Sequence, residues 1–245
     1  MDYTEQDYLK RTLVLFILLS LITIPVFSQF VDSFSFMEDS KSYYEFIRAI
    51  KNNETQSLCL ELYEDLDFSS YNLLEKSIFE VKAKINYSRY LIDNNQKNSA
   101  LIILKEIEVS LKTLKPHEMF YDLLEAESKS LWYLINHFKY LAKAINATNL
   151  TKKNYNSYSN ELSAVLQYAN LLLYTPGKNP EEALNIFKLI KNEKLLEWDK
   201  FSLYSGLGIS NFKLQNTKEA LLYLSQAKSI YSGDTIINSA LLKLT

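Results

Sequence analysis

Few side chains in this chain are suited to chemistry, and their spacing argues against it. His117 and His137 are the only histidines, and neither has the His/Glu spacing that places two zinc ligands on one helix face. Both read as structural side chains. Cys59 is the only cysteine, which excludes an intrachain disulfide and a thiolate metal site. A buried thiol within a helix is the expectation for it. Glu61, Glu64, Asp65 and Asp67 crowd four carboxylates into seven residues. The alternating oxygen ligands and the glycine of a calcium loop are missing, so a solvated helix end is expected. Gly206-Leu207-Gly208 is half of a dinucleotide fingerprint, with no strand before it and no third glycine after it. No phosphate loop or nucleophile elbow occurs. The reading is a protein that is not an enzyme, with no metal and no cofactor. Asn53, Asn86, Asn146 and Asn149 open glycosylation-like triplets, as chance provides in an Asn-rich chain. Trp132, Trp198 and the 18 tyrosines suit helix interfaces more simply than a ligand cleft.

Charge narrows the partners. The formal net charge is −2, and without residues 1–28 the balance is close to neutral. Nucleic acid is therefore not an expected partner, because phosphate binding needs a basic footprint. The positive charge is nearly all lysine; the arginines are Arg11, Arg48 and Arg89. A chain of 245 residues that is 47% hydrophobic can bury one large core or two small ones. Glycine and proline number 4 each, too few for an all-β sandwich or a disordered linker.

The N-terminus reads as an address. Lys10-Arg11 precede the apolar run Thr12 to Phe27, which is shorter than the roughly 20 residues a spanning helix needs. It fits the hydrophobic region of a secretory signal, closed by Pro25 and by Val26-Phe27-Ser28. Cleavage is expected between Ser28 and Gln29, so that residues 1–28 form a signal peptide. An uncleaved anchor and a buried helix are the alternatives. No cysteine stands directly after the run, which excludes lipoprotein-type attachment.

From about residue 38 the chain reads as successive amphipathic helices with no sustained strand alternation. Tyr43 to Ile50, Leu58 to Leu66, Leu73 to Leu91 and Ala100 to Leu114 form the first four. Pro116 suits a first helical position. Met119 to Ala147 reads as two helices with an unplaced joint. Asn149 to Asn160, polar and rich in Tyr and Asn, reads as a long loop or domain joint. Glu161 to Tyr174 is apolar and stops at Thr175-Pro176-Gly177. Asn179-Pro180-Glu181-Glu182 supplies an N-cap, a proline at the first position and acids in the first turn. Trp198 to Leu214 and Ala220 to Tyr231 follow, with Gly233 as a left-handed C-cap and Asp234 opening a last helix to Leu244. Short loops between helices imply antiparallel neighbours. Two regions result, residues 38–148 and 161–245.

Phe201 to Ser232 carries Tyr204, Leu207-Gly208 and Phe212 on a first helix, then Ala220, Leu224 and Ala227 on a second. This resembles a tetratricopeptide repeat, in which a small residue lets paired helices approach closely. Ala183 and Phe187 repeat Ala220 and Leu224 at 37 residues, against the family's period of ~34. Tyr87-Ser88, Leu91, Ala100, Leu104 and Ile107 give a weaker copy, and Leu131-Trp132 with Ala142 or Ala144 a degenerate one. Tyr204 stands where the family has tryptophan, Asn211 replaces an aromatic residue, and Ser232 replaces the terminal proline.

The resemblance implies an all-α fold of antiparallel hairpins stacked as a right-handed superhelix, capped by the last helix. It also implies a groove for a protein or peptide. The family's groove positions fall on Tyr168, Leu172, Thr175, Ser202, Ser205, Ile209, Phe212 and Lys213. The Lys/Asn clamp for a C-terminal carboxylate is absent, so a partly apolar groove is expected; simple packing against neighbouring helices is the alternative for Tyr168, Leu172 and Ile209. The functional expectation is an exported scaffold in the periplasm or cell envelope, touching the membrane only through its N-terminal segment. An accessory role in small-ligand transport and a generic helical bundle are the alternatives.

Overall fold

The computed structural model describes residues 31–244 apart from 176, 178 and 193. The apolar run Thr12 to Phe27 and the Ser28/Gln29 junction lie outside them. The described residues form a short 3-10 helix, Ser35–Asp39, and eleven α-helices, with no strand among them. The helices are α1 (Lys41–Lys51), α2 (Gln56–Glu64), α3 (Leu73–Asp93), α4 (Lys97–Leu114), α5 (Glu118–Ile135) and α6 (Leu141–Ser157). They continue as α7 (Leu162–Tyr174), α8 (Pro180–Leu189), α9 (Glu197–Lys213), α10 (Thr217–Ile230) and α11 (Thr235–Leu242). The protein is all-α, as the sequence implies.

Local chemistry sets several of these starts. Asn72 Oδ1 accepts from Glu75 N at 3.0 Å, and Glu75 Oε2 accepts from Asn72 N at 3.2 Å. This reciprocal box satisfies two of the backbone donors left over at the N-terminus of α3. Asn179 Oδ1 accepts from Glu181 N and Glu182 N at 3.0 and 3.2 Å, with Pro180 at the first position of α8. Asp234 Oδ1 accepts from Ile237 N at 2.9 Å and opens α11.

Three local expectations are corrected. Pro116 sits in the turn before α5, whose N-cap is His117. The stretch read as a loop, Asn149 to Asn160, is helical through Ser157. Its periodic Ala147, Thr151 and Asn154 are buried, and Asn154 Nδ2 donates to Asp122 O on α5 at 3.0 Å. Tertiary hydrogen bonding thus overrides the polar composition, and the joint left unplaced falls at Asn136–Tyr140. Gly233 does not adopt a left-handed conformation; the positive-φ glycine among the described residues is Gly177, at 73°.

Packing follows the chain. Hairpins α3–α4, α5–α6, α7–α8 and α9–α10 each pack internally, and the second helix of each contacts the first helix of the next. The first helices also contact one another, α3 to α5, α5 to α7, α7 to α9, and α9 to α11. Helix α9 shows why small residues are needed. A Cβ on Gly208 would lie 2.7 Å from Leu224 Cγ on α10, and one on Gly206 would lie 2.2 Å from Phe187 Cζ on α8. The close approach expected at Gly208 is present, against Leu224 rather than Ala220. Two buried cores result, one from Phe34 to Trp132 with Ala164, the other from Leu162 to Ala240. Trp198 packs against both.

Candidate binding surface

The eight positions singled out from the sequence do not form one open groove. Leu172, Ser205 and Ile209 are buried, at 5%, 8% and 5% exposure, because α7 packs directly on α9. Tyr168 stacks on Tyr155 of α6 at 4.2 Å between centroids, and its hydroxyl donates to Glu182 of α8 at 3.4 Å. Burial, then the Glu182 charge, raises its pKa. Lys213 is exposed, but its Nζ donates to the carbonyl of Leu173 at the end of α7 and lies 5.7 Å from the Tyr174 ring centroid. Ser202 and Phe212 are half-buried, as is Thr175, whose backbone N–H closes α7 on Leu171 O at 3.1 Å.

What spans the first helices instead is the chain's own residues 31–52. Val31 N donates to Asn160 O at 2.7 Å and Leu162 N donates to Val31 O at 2.8 Å, a single parallel bridge at the start of α7. Ser33 N and Oγ donate to the two carboxylate oxygens of Glu161 at 3.1 and 2.6 Å. Phe34 meets Phe120 of α5 edge-on at 5.4 Å, and Phe36 meets Phe79 of α3 at 5.4 Å. Tyr43 packs edge-on against Phe79 and against Trp198 of α9, at 5.3 and 5.9 Å, and accepts from Asn86 Nδ2 at 3.1 Å. Tyr44 donates to Glu197. Lys51 Nζ stands 5.5 Å from the Phe201 ring centroid. Asn52 reaches the turn between α10 and α11, where its Oδ1 accepts from Gly233 N at 3.4 Å. A Cβ on Gly233 would lie 1.7 Å from Asn52 O, so this glycine makes room for the returning chain.

This strap traverses a set of interacting charges. Lys82 Nζ pairs with Glu127 Oε2 at 2.6 Å and lies 5.7 Å from the Phe34 ring centroid. Burial pushes the Asp199 carboxyl up to about 7, with Asp32 adding and Lys82 opposing. Burial also raises Asp32 and Glu161, although hydrogen bonds from Phe34 N and from Ser33 offset part of it. Near the other end of the strap, burial lowers the Lys51 pKa and the neighbouring Arg89 lowers it further. Such groups hold the strap in register. Among the described residues no group of three or more His, Cys, Asp or Glu could hold a metal ion.

Comparison of the chain with protein-family models, with curated proteins and with solved structures found no match in any of the three. The acidic run Glu61 to Asp67 spans the end of α2 and the turn after it, and its Asp67 lines a cavity of about 350 Å³ with Tyr63, Phe68 and Lys84. There Asp67 accepts from Ser69 N at 2.8 Å, which lowers its pKa, as in an ordinary capped turn.

Proposed function

We propose that the chain is an exported, tetratricopeptide-like scaffold that binds a protein partner in the cell envelope. The observation that carries the reading is α9, whose Gly206 and Gly208 admit Phe187 of the preceding hairpin and Leu224 of its own. Each hairpin also meets the next through both of its neighbouring helices. Repetition of that contact favours a right-handed superhelical stack, in which the first helices line the inner side. Such arrays serve as extended docking surfaces. Export rests on the basic-then-apolar pattern from Lys10 to Phe27. Because residues 31–52 already span the first helices, a peptide takes that side only by displacing them, whereas a folded partner meets the outer helices directly.

A photo-crosslinking residue placed at Ile102 on α4, or at Tyr44 in the strap, separates these modes in intact cells. A discrete adduct from Ile102, with recovered protein starting at Gln29 in the envelope fraction, supports the outer-surface mode. An adduct from Tyr44 supports strap displacement. Recovery of the protein without adducts, with Met1 intact and in the cytosolic fraction, overturns the proposal.

A further inference from the structure

One outer face differs in chemistry from the rest. From Ser128 to Asn160 the chain holds Lys129, Lys139, Lys143, Lys152 and Lys153 and no Asp or Glu. The fold makes this stretch the end of α5, the following turn and all of α6, and it turns large apolar groups outward. Phe138 is 97% exposed, Leu141 53% and Ile145 55%. Leu141 and Ile145 are one turn apart, and Lys152 follows two turns on, so the three share a stripe. Ala147, Thr151 and Asn154 are buried against the protein on the opposite side of the helix. Lys139 Nζ lies 5.3 Å from the ring centroid of Tyr140 at the start of the stripe, whereas Lys143 turns inward, 3.7 Å from the ring centroid of the buried Trp132. Glu108 of α4 and Asp122 of α5 pair with Lys143 and Lys153. Among the described residues no carboxylate pairs with Lys139 or Lys152.

An exposed apolar stripe with Lys139 and Lys152 at its two ends is the composition of a helix lying in a bilayer interface. A second observation gives it a place. Val31, itself 58% exposed, is bonded to Asn160 and Leu162, just past the end of α6. The described fold therefore begins at the end of this same helix.

We propose that the outer face of α6 and of the turn before it, from Phe138 to Lys152, lies along an anionic lipid surface. This extends membrane contact beyond the N-terminal segment. It holds whether that segment is retained or removed, because the stripe and its lysines belong to the folded part.

The test uses the full chain in lipid nanodiscs, with Phe138→Cys carrying an environment-sensitive fluorophore. Cys59 is fully buried, and the wild-type chain serves as the labelling blank. Discs of phosphatidylcholine mixed with phosphatidylglycerol are expected to give blue-shifted emission, quenched by nitroxide-bearing lipids. Phosphatidylcholine alone, or Lys139→Gln with Lys152→Gln, is expected to weaken that quenching about fivefold. The same label at Leu222→Cys, on the outer face of α10, is expected to stay water-like. Water-like emission at position 138 in every disc overturns the proposal. So does a blue shift without nitroxide quenching, which would place protein rather than lipid on this face. Equal quenching at positions 138 and 222, or failure of the chain to associate with anionic discs, overturns it as well.

Discussion

Phe79 of α3 is met by the rings of Phe36, Tyr43, Phe68 and Tyr71, whereas α9 brings its neighbours in by having no side chain at Gly206 and Gly208. The first core fills the space between helices with aromatic volume gathered from separate segments. The second removes the space, using Ala183, Ala220 and Ala227, each fully buried, to let helices touch. Both give buried interfaces, but they fail in opposite ways. A ring cluster fails when volume is taken out, and a close-packed hairpin fails when volume is put in.

The largest expected effect is at the ring cluster. Phe79→Ala leaves a cavity among four rings and is expected to cost about 3–5 kcal/mol in a urea melt. A loss below about 1 kcal/mol would mean that the cluster collapses to fill the gap. At the other core, Gly206→Ala is expected to cost about 1–3 kcal/mol, because its methyl would enter the Phe187 ring. Trimming that ring with Phe187→Leu is expected to recover part of the loss in a double-mutant cycle; additivity would break the comparison. Next comes Gly233→Ala, whose methyl would strike Asn52 O, at about 1–2 kcal/mol. The expected signature is faster limited proteolysis within residues 31–52, with the cleavage pattern of α7 to α10 unchanged. The smallest effect concerns protons. Asp199 titrates near 7 in the fold against a reference of 3.8, so the folded protein binds that proton more tightly than the unfolded chain. The contribution of this group to stability is then fully present below about pH 4, falls as pH rises to about 7 and is lost above it. Asp199→Asn is expected to reduce that fall and to add about 1 kcal/mol at pH 8, a modest figure because the residue is partly exposed. Urea melts at pH 5 and pH 8 check it.

The two cores also differ in how far they could be read from the sequence. Helices α7 to α11 announce themselves through Asn179-Pro180, Gly208 and Asp234, whose roles are settled within a few residues or one hairpin. The all-α class and the close approach at Gly208 were legible for that reason. Helix α6 was hidden because Thr151 and Asn154 count as polar until Asp122 of another helix satisfies Asn154. The strap was not legible, because Ser33 and Glu161 are 128 residues apart and Asn52 and Gly233 are 181 apart. Nothing local to Val31 or Tyr43 names such partners. Three of the groove positions are buried for a related reason. A family pattern assigns Leu172, Ser205 and Ile209 a facing, but the contact of α7 with α9 decides whether that facing meets solvent.

The meeting of Asn52 with Gly233 fixes how many hairpins this protein can have. Hairpin arrays ordinarily gain or lose units freely, since each unit touches only the next. Here a fifth hairpin inserted between α3 and α10 would shift Gly233 by about 8–10 Å, one helix spacing, beyond the reach of Asn52. The strap therefore acts as a ruler, and a change in unit number would have to be matched by a change in its length.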